Sequence, residues 1–223
     1  MSTITESLLR FRESVHPTAT LVAVSKTKPI SDLEEAYDAG QRHLGENKIQ
    51  EMTEKWETLP KDIHWHMIGH TQRNKVKYMA PYVHLIHSVD SPRLLKEINK
   101  QAKNNDRIIN CLLQVHIAQE ESKFGFDEQE LIALLNDQAF KEYKNVQIKG
   151  LMGMATFTDK KDQVRTEFKS LAHTFKKIKE EHLLDSRHEF TELSMGMTGD
   201  YEIALEEGST MVRIGSAIFG SRS

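Results

Sequence analysis

Along the chain, short apolar or β-branched runs alternate with longer stretches whose apolar residues recur at helical spacing. The runs are TLVAVS (20–25), HLGEN (43–47), HWHMIG (64–69), VHLIHSV (83–89), INCLLQVHI (109–117), VQIKGLMGM (146–154), FTELSMG (190–196) and MVRIGSAIF (211–219). Short runs of this kind predict strands. Between the first two, ISDLEEAYDAG puts Ile30, Leu33, Ala36 and Tyr37 on one face. Ser31 or Asp32 can cap that helix and Gly40 can end it. SPRLLKEINKQAKNN and DQVRTEFKSLAHTFKKIKEEH repeat the pattern, and a further helix from Ile4 to Ser14 precedes the first strand.

Strands that alternate with helices pair in parallel through right-handed crossovers, and eight such units suffice to close a barrel. The expected fold is α/β, a single-domain (β/α)8 TIM barrel over residues 1–223 with an extra N-terminal helix. No linker or low-complexity tract divides the chain. The competing doubly wound sheet lacks its usual marks, since no GxGxxG follows the first strand and no Walker sequence is present. In barrels the chemistry lies at the carboxyl ends of the strands, so the residues there are the candidates.

Composition narrows the choice. The 223 residues carry a net charge of −3 and are 28 % charged, the balance of a soluble globular protein. Lys and Arg interleave with Asp and Glu, which argues against a nucleic-acid surface. The lone Cys111 excludes an internal disulfide and a cysteine zinc cluster, and reads as a small buried hydrophobe. MSTITESLLRFRES has no secretory features and no run approaches a membrane span, so the expectation is a cytoplasmic protein without a membrane partner.

Lys26 follows the first strand directly. A lysine there is either a solvated strand end or an amine tuned by its surroundings to condense with a carbonyl. The last strand ends in Arg213, Gly215 and Ser216: fixed donors, a residue that lets amides approach an anion, and a hydroxyl. The strand before it ends among Ser194, Gly196 and Thr198, at a turn that opens a short helix. Loops after the last two strands are the usual phosphate position in a barrel. Closure brings them beside Lys26, and a phosphorylated aldehyde held as an imine satisfies both halves. Pyridoxal 5'-phosphate (PLP) is such a molecule.

The segments AVSKTKP, GENKIQE, HWHMIGHTQRNK, GLMGMA and LSMGMTGDYEIALEEGSTMVRIGSAIFG recur in order over nearly the whole chain. Together they resemble the YggS/PROSC family of pyridoxal phosphate homeostasis proteins. The resemblance implies a barrel of the alanine-racemase N-terminal-domain type that carries PLP as an aldimine on Lys26. It places Ser194, Met195, Gly196, Thr198, Gly215 and Ser216 around the phosphate and Arg213 at the pyridine nitrogen. Lys48 and Thr71 depart from the family pattern, which has an aromatic or apolar residue and a leucine there.

Asn47 stands at the end of the second strand, either as a ligand to the ring or its hydroxyl or as a turn residue. His64 and His66 share a strand face at a spacing compatible with metal, but no third ligand is evident in the sequence, so no metal is expected. Met152, Met154, Met195 and Met197 read as irregular packing around a ring. Lys28 and Lys123 read as solvated rim residues.

Racemases of this type are implied to need a second base from a separate β domain. The given chain stops at Ser223, and its five tyrosines fall in helices, loops or rim turns. An arginine at the pyridine nitrogen also weakens the ring as an electron sink. The expectation is therefore a monomeric carrier that holds PLP, contributes to its homeostasis and serves apo-enzymes, rather than an enzyme. A PLP-dependent amino-acid racemase or related fold-type III enzyme is the alternative, and a phosphosugar-binding barrel is a third reading.

Overall fold

The structure, a computed structural model, describes residues 3–15, 17, 19–119 and 124–220. Helix α1 (Ile4–Val15) leads into β1 (Thr20–Val24), α2 (Ile30–Asp38), β2 (His43–Glu46), α3 (Ile49–Thr58) and β3 (His64–Met67). A 3-10 turn at Arg73–Lys75 and α4 (Val76–Met79) precede β4 (Leu85–Val89), α5 (Pro92–Asn104) and β5 (Ile109–Gln114). Then come α6 (Glu128–Asn136), α7 (Gln138–Lys141), β6 (Val146–Met152), α8 (Lys161–Glu180), β7 (Glu192–Met197), α9 (Tyr201–Glu206), β8 (Met211–Ile214) and α10 (Ser216–Phe219). Lys123 lies outside the described residues.

Each strand pairs in parallel with the next, and β8 returns to β1 with Thr20 opposite Met211 and Ala23 opposite Ile214. The predicted (β/α)8 barrel is therefore present and closed. No helix among the described residues is long and apolar enough to cross a membrane.

Alternation along the strands divides the buried residues into two layers. Outward residues such as Ala23, Leu44, Trp65, Ile86, Leu113, Leu151 and Val212 join the helices in one large apolar cluster. Cys111 belongs to that layer, and burial raises its thiol pKa. Inside the barrel, Val22, Leu85, Leu112, Met152 and Met211 form a second, much smaller cluster. The other interior positions are polar: His66, His87, Gln114, Ser194 and Arg213 are all at most 5 % exposed. Barrel interiors are normally filled by branched apolar residues, so this polar column needs a reason beyond packing.

Two local expectations are corrected. Ser31 and Asp32 do not cap α2: the helix opens at Ile30 with Pro29 before it and no side-chain cap. Pro29 has its φ fixed near −65° by the ring and ends the preceding turn, so the helix starts two residues earlier than a Ser31 cap would place it. The last run does not continue as a strand to Phe219. The chain leaves the sheet at Gly215, whose carbonyl accepts from the amides of Ile218 and Phe219 and starts the single turn α10. Ser216 consequently sits at the head of a turn whose first amides have no carbonyl one turn earlier.

Candidate functional site

The carboxyl ends of the strands enclose a cavity of about 380 Å³, within the range of small-molecule sites. Lys26, Asn47, Thr198, Arg213, Gly215 and Ser216 line it. Val24, Ile68 and Met154 add apolar wall, and Lys28, His70 and Phe124 stand around it.

Lys26 is half-buried in a turn clamped from both sides. On one flank the hydroxyl of Ser25 donates to Glu46 Oε1 at 2.6 Å. On the other, Thr27 adopts a left-handed φ of 63°, and its amide donates to Glu51 Oε1 at 2.5 Å. Lys55 ties the two together: its Nζ donates to Ser25 O at 2.8 Å, Glu46 Oε1 at 2.8 Å and Glu51 Oε1 at 2.7 Å. Glu46 is fully buried, and desolvation raises its pKa against the opposing pull of Lys55. Its Oε2 has no hydrogen-bond partner among the described residues. A strained turn held by a buried ion pair fixes where the Lys26 amine leaves the backbone.

Two close backbone approaches set the cavity walls. A Cβ added to Gly69 would lie 2.4 Å from Asn47 O, so only glycine lets the end of β3 sit against the end of β2. At Gly215 an added Cβ would meet Val24 O at 3.1 Å, which draws the Gly215–Ser216 corner against the end of β1, two residues before Lys26.

Arg213 rises from inside β8 and is 4 % exposed. Its guanidinium donates to Ser194 Oγ at 2.6 Å and Gly153 O at 3.1 Å. Burial lowers its pKa to about 10, which leaves it charged at neutral pH.

Of the nine residues the sequence nominated, Ser194, Met195 and Gly196 do not line this cavity. Ser194 is buried beneath Arg213. Met195 belongs to the outer layer. Gly196, at φ 95°, faces α9, where an added Cβ would lie 2.6 Å from Ala204 Cβ. Met195 is outward by plain alternation from Ser194, and for Gly196 the cause is a register shift between Ser194 and Met197. Met197 consequently lines the cavity in place of Gly196.

Below Arg213 the polar column continues as a chain of rings. His87 Nδ1 lies 3.0 Å from Ser194 Oγ, His66 Nδ1 lies 2.8 Å from His87 Nε2, and His43 Nδ1 lies 2.9 Å from His66 Nε2. The ladder ends at the amino ends of β2, β3 and β4, where His43 contacts His64 and His84 stacks on His64 with centroids 4.2 Å apart. Arg213 cannot accept a hydrogen bond, so Ser194 accepts from it, and in one tautomer set that fits the ladder the Ser194 hydroxyl donates to His87 Nδ1. Each following ring then donates from Nε2 to the next Nδ1, which satisfies every step of the ladder.

Burial keeps His43, His66, His84 and His87 neutral. It lowers His43 and His84 to about 4, with His64 adding to both shifts, and drives His66 and His87 well below the ordinary value. Such a group binds fewer protons folded than unfolded, so its stabilisation is complete above the unfolded value near 6.5 and is lost as pH falls. Each ring contributes a slope of about 1.4 kcal/mol per pH unit once the unfolded chain is protonated there. With a chelator present, the midpoint of thermal unfolding is expected to drop steadily from pH 6.5 to 4. A flat profile over that window would show that the rings are charged in the folded protein.

The chain matches the family model described as alanine racemase, N-terminal domain, over residues 1–223. It is 38 % identical over 205 residues to the pyridoxal phosphate homeostasis protein of Aquifex aeolicus, covering 92 % of this chain and 87 % of that one. The chain belongs to this family of pyridoxal phosphate homeostasis proteins. PipY from Synechococcus elongatus PCC7942, solved with PLP bound, superposes with a TM-score of 0.87 at 34 % identity, covering 98 % of this chain and all of that one. Alanine racemase from Bartonella henselae shares the fold alone, with a TM-score of 0.73 at 17 % identity over 98 % of this chain and 58 % of the other.

Within this family framework, sequence reasoning passed over the Glu46, Glu51 and Lys55 clamp and the residues His43, His84 and His87. A signal for the histidines is present: three successive strand-forming runs each carry one at or near their start, in HLGEN, HWHMIG and VHLIHSV.

Proposed function

We propose that the protein binds PLP as a Schiff base on Lys26 and serves as a carrier that holds and releases the cofactor without efficient turnover. The observation that carries this reading is the shared cavity: Lys26, in the turn after β1, and Arg213, on the adjacent β8, line the same space as Thr198, Gly215 and Ser216. The amine supplies the covalent attachment by condensing with an aldehyde and expelling water. Gly215, Ser216 and Thr198 offer amides and hydroxyls to a phosphate. Arg213, with two of its donor groups already engaged, keeps its charge and its remaining donors for a ring nitrogen. When bound, PLP supplies an electron sink for bonds at an amino acid α-carbon. An arginine facing the ring nitrogen opposes protonation there and weakens that sink.

Among the described residues none of the five tyrosines lines the cavity, so no tyrosine is placed as the second base that racemisation requires. This supports a holding role over the racemase alternative. The reading includes a cytoplasmic monomer that serves apo-enzymes requiring the cofactor.

The test is to titrate PLP into the purified protein, record visible absorption, reduce with borohydride and map the modified peptide. Stoichiometric uptake fixed on the peptide containing Lys26 is the expected result, and a protein that takes up no PLP would remove the proposal. The same preparation is then given both enantiomers of alanine, serine and threonine. Sustained interconversion would replace the carrier with the racemase.

A further inference from the structure

We propose a second binding site at the opposite pole of the barrel, where His43, His66 and His84 hold one borderline divalent metal ion of the zinc class. One imidazole nitrogen from each of the three lies within 4.8 Å of the other two. The three rings come from β2, β3 and the residue before β4, so the sheet itself holds their separation. His43 pairs in register with His64, His66 pairs with Leu85, and the amide of His84 donates to Trp65 O. Backbone bonds therefore fix all three Cα positions before any ion binds.

Zinc–nitrogen bonds of 2.0–2.1 Å in a tetrahedral site set nitrogens about 3.3 Å apart. His43 Nδ1 and His66 Nε2 are 2.9 Å apart and share a proton. A cation replaces that proton with a shift of the rings on the order of 1 Å. The protons balance without loss. His66 moves its hydrogen from Nε2 to Nδ1 and donates it to His87 Nε2, and His87 does the same toward Ser194 Oγ, which retains its own hydrogen. A ligating histidine that donates its other nitrogen to a fixed partner is the usual outer arrangement of a metal site. Here the ladder already supplies that partner.

Entry and selectivity also fit. His43, His64 and His84 are only partly buried, so the cluster reaches solvent at the amino ends of the strands. His64, 3.4 Å from His43 and stacked on His84, leaves room for water as the fourth ligand or takes that place itself. The nearby charges are cationic: Arg107 and Lys149 both act on His84, and Lys149 is paired with Glu189. Without a carboxylate ligand, hard cations such as Mg²⁺ or Ca²⁺ find no oxygen set here, whereas imidazoles suit zinc, copper and nickel.

The experiment uses the untagged full-length chain, stripped with EDTA, and Zn²⁺ alone in competition with a chromophoric chelator. One equivalent of tight uptake is expected. His43→Gln and His84→Gln each weaken it at least about tenfold, while the exposed His173→Gln leaves it unchanged. Equal uptake by wild type and the double variant His43→Gln/His84→Gln would overturn the site. Should the variants unfold, Co²⁺ added to the wild type decides. Visible bands of tetrahedral nitrogen ligation support the site, and a spectrum of hexaaquo cobalt alone refutes it.

Discussion

Lys26→Ala is expected to abolish borohydride-stable attachment of PLP while leaving the fold intact. The bonds that clamp the turn run through Ser25 Oγ, Ser25 O and the Thr27 amide, so they outlast loss of the lysine side chain. Arg213 and the Thr198, Gly215 and Ser216 wall remain, so weak non-covalent binding persists. Loss of the covalent link is expected to reduce affinity on the order of 100-fold, a difference of about 2.8 kcal/mol. Absorption, reduction and peptide mapping read the result directly. Lys28 provides the informative failure, because it lines the same cavity. An adduct of undiminished yield that maps to Lys28 in the variant, and also in wild type, would transfer the chemistry two residues along the turn.

Lys55→Ala is expected to be the most destabilising single change near the site. Lys55 and Glu46 are 5 % and 0 % exposed, and the ammonium is the shared partner of Glu46, Glu51 and the Ser25 carbonyl. Removing one member of a buried pair leaves an uncompensated charge, at a cost of about 3–5 kcal/mol. In a domain of this size that corresponds to a fall of about 10 °C in Tm. Glu46 will then take up a proton, since desolvation already raises its pKa and only Ser25 remains to oppose that. The double variant Lys55→Met/Glu46→Gln should recover part of the loss, because it removes both charges together. Thermal unfolding of the single and double variants measures this. A single variant as stable as wild type would show that the clamp carries no net stability. Cofactor affinity should fall with the single variant as well, because the left-handed Thr27 loses the carboxylate geometry that holds it.

The alternation of apolar runs with helical spacing was enough to read the barrel, because parallel strands with helices between them leave few ways to bury both faces. The placing of Lys26 and Arg213 at one cavity was legible for a related reason: both positions follow from strand order and from the rule that chemistry collects at carboxyl ends. What escaped depended on register. Period-two alternation through FTELSMG directs Gly196 inward, yet the shift between Ser194 and Met197 turns it toward α9 and brings Met197 to the cavity. His43, His66 and His84 are separated by long helical stretches, and a pair spaced two apart showed no third partner. Only the alignment of His43 with His64 and of His66 with Leu85 gathers them. Lys55 was hidden differently, since on its own helix it looks like an ordinary i,i+4 partner of Glu51, and its burial against β2 is a tertiary fact.

The pairing of β1 with β8 also dictates when the site comes into being. Lys26 leaves the ribosome long before Arg213, so the nascent chain has no such cavity until the sheet closes on itself. Contacts between such distant segments form late and slowly. If the cavity holds the aldehyde as proposed, a chain in which Lys26 is still far from Arg213 cannot bind it.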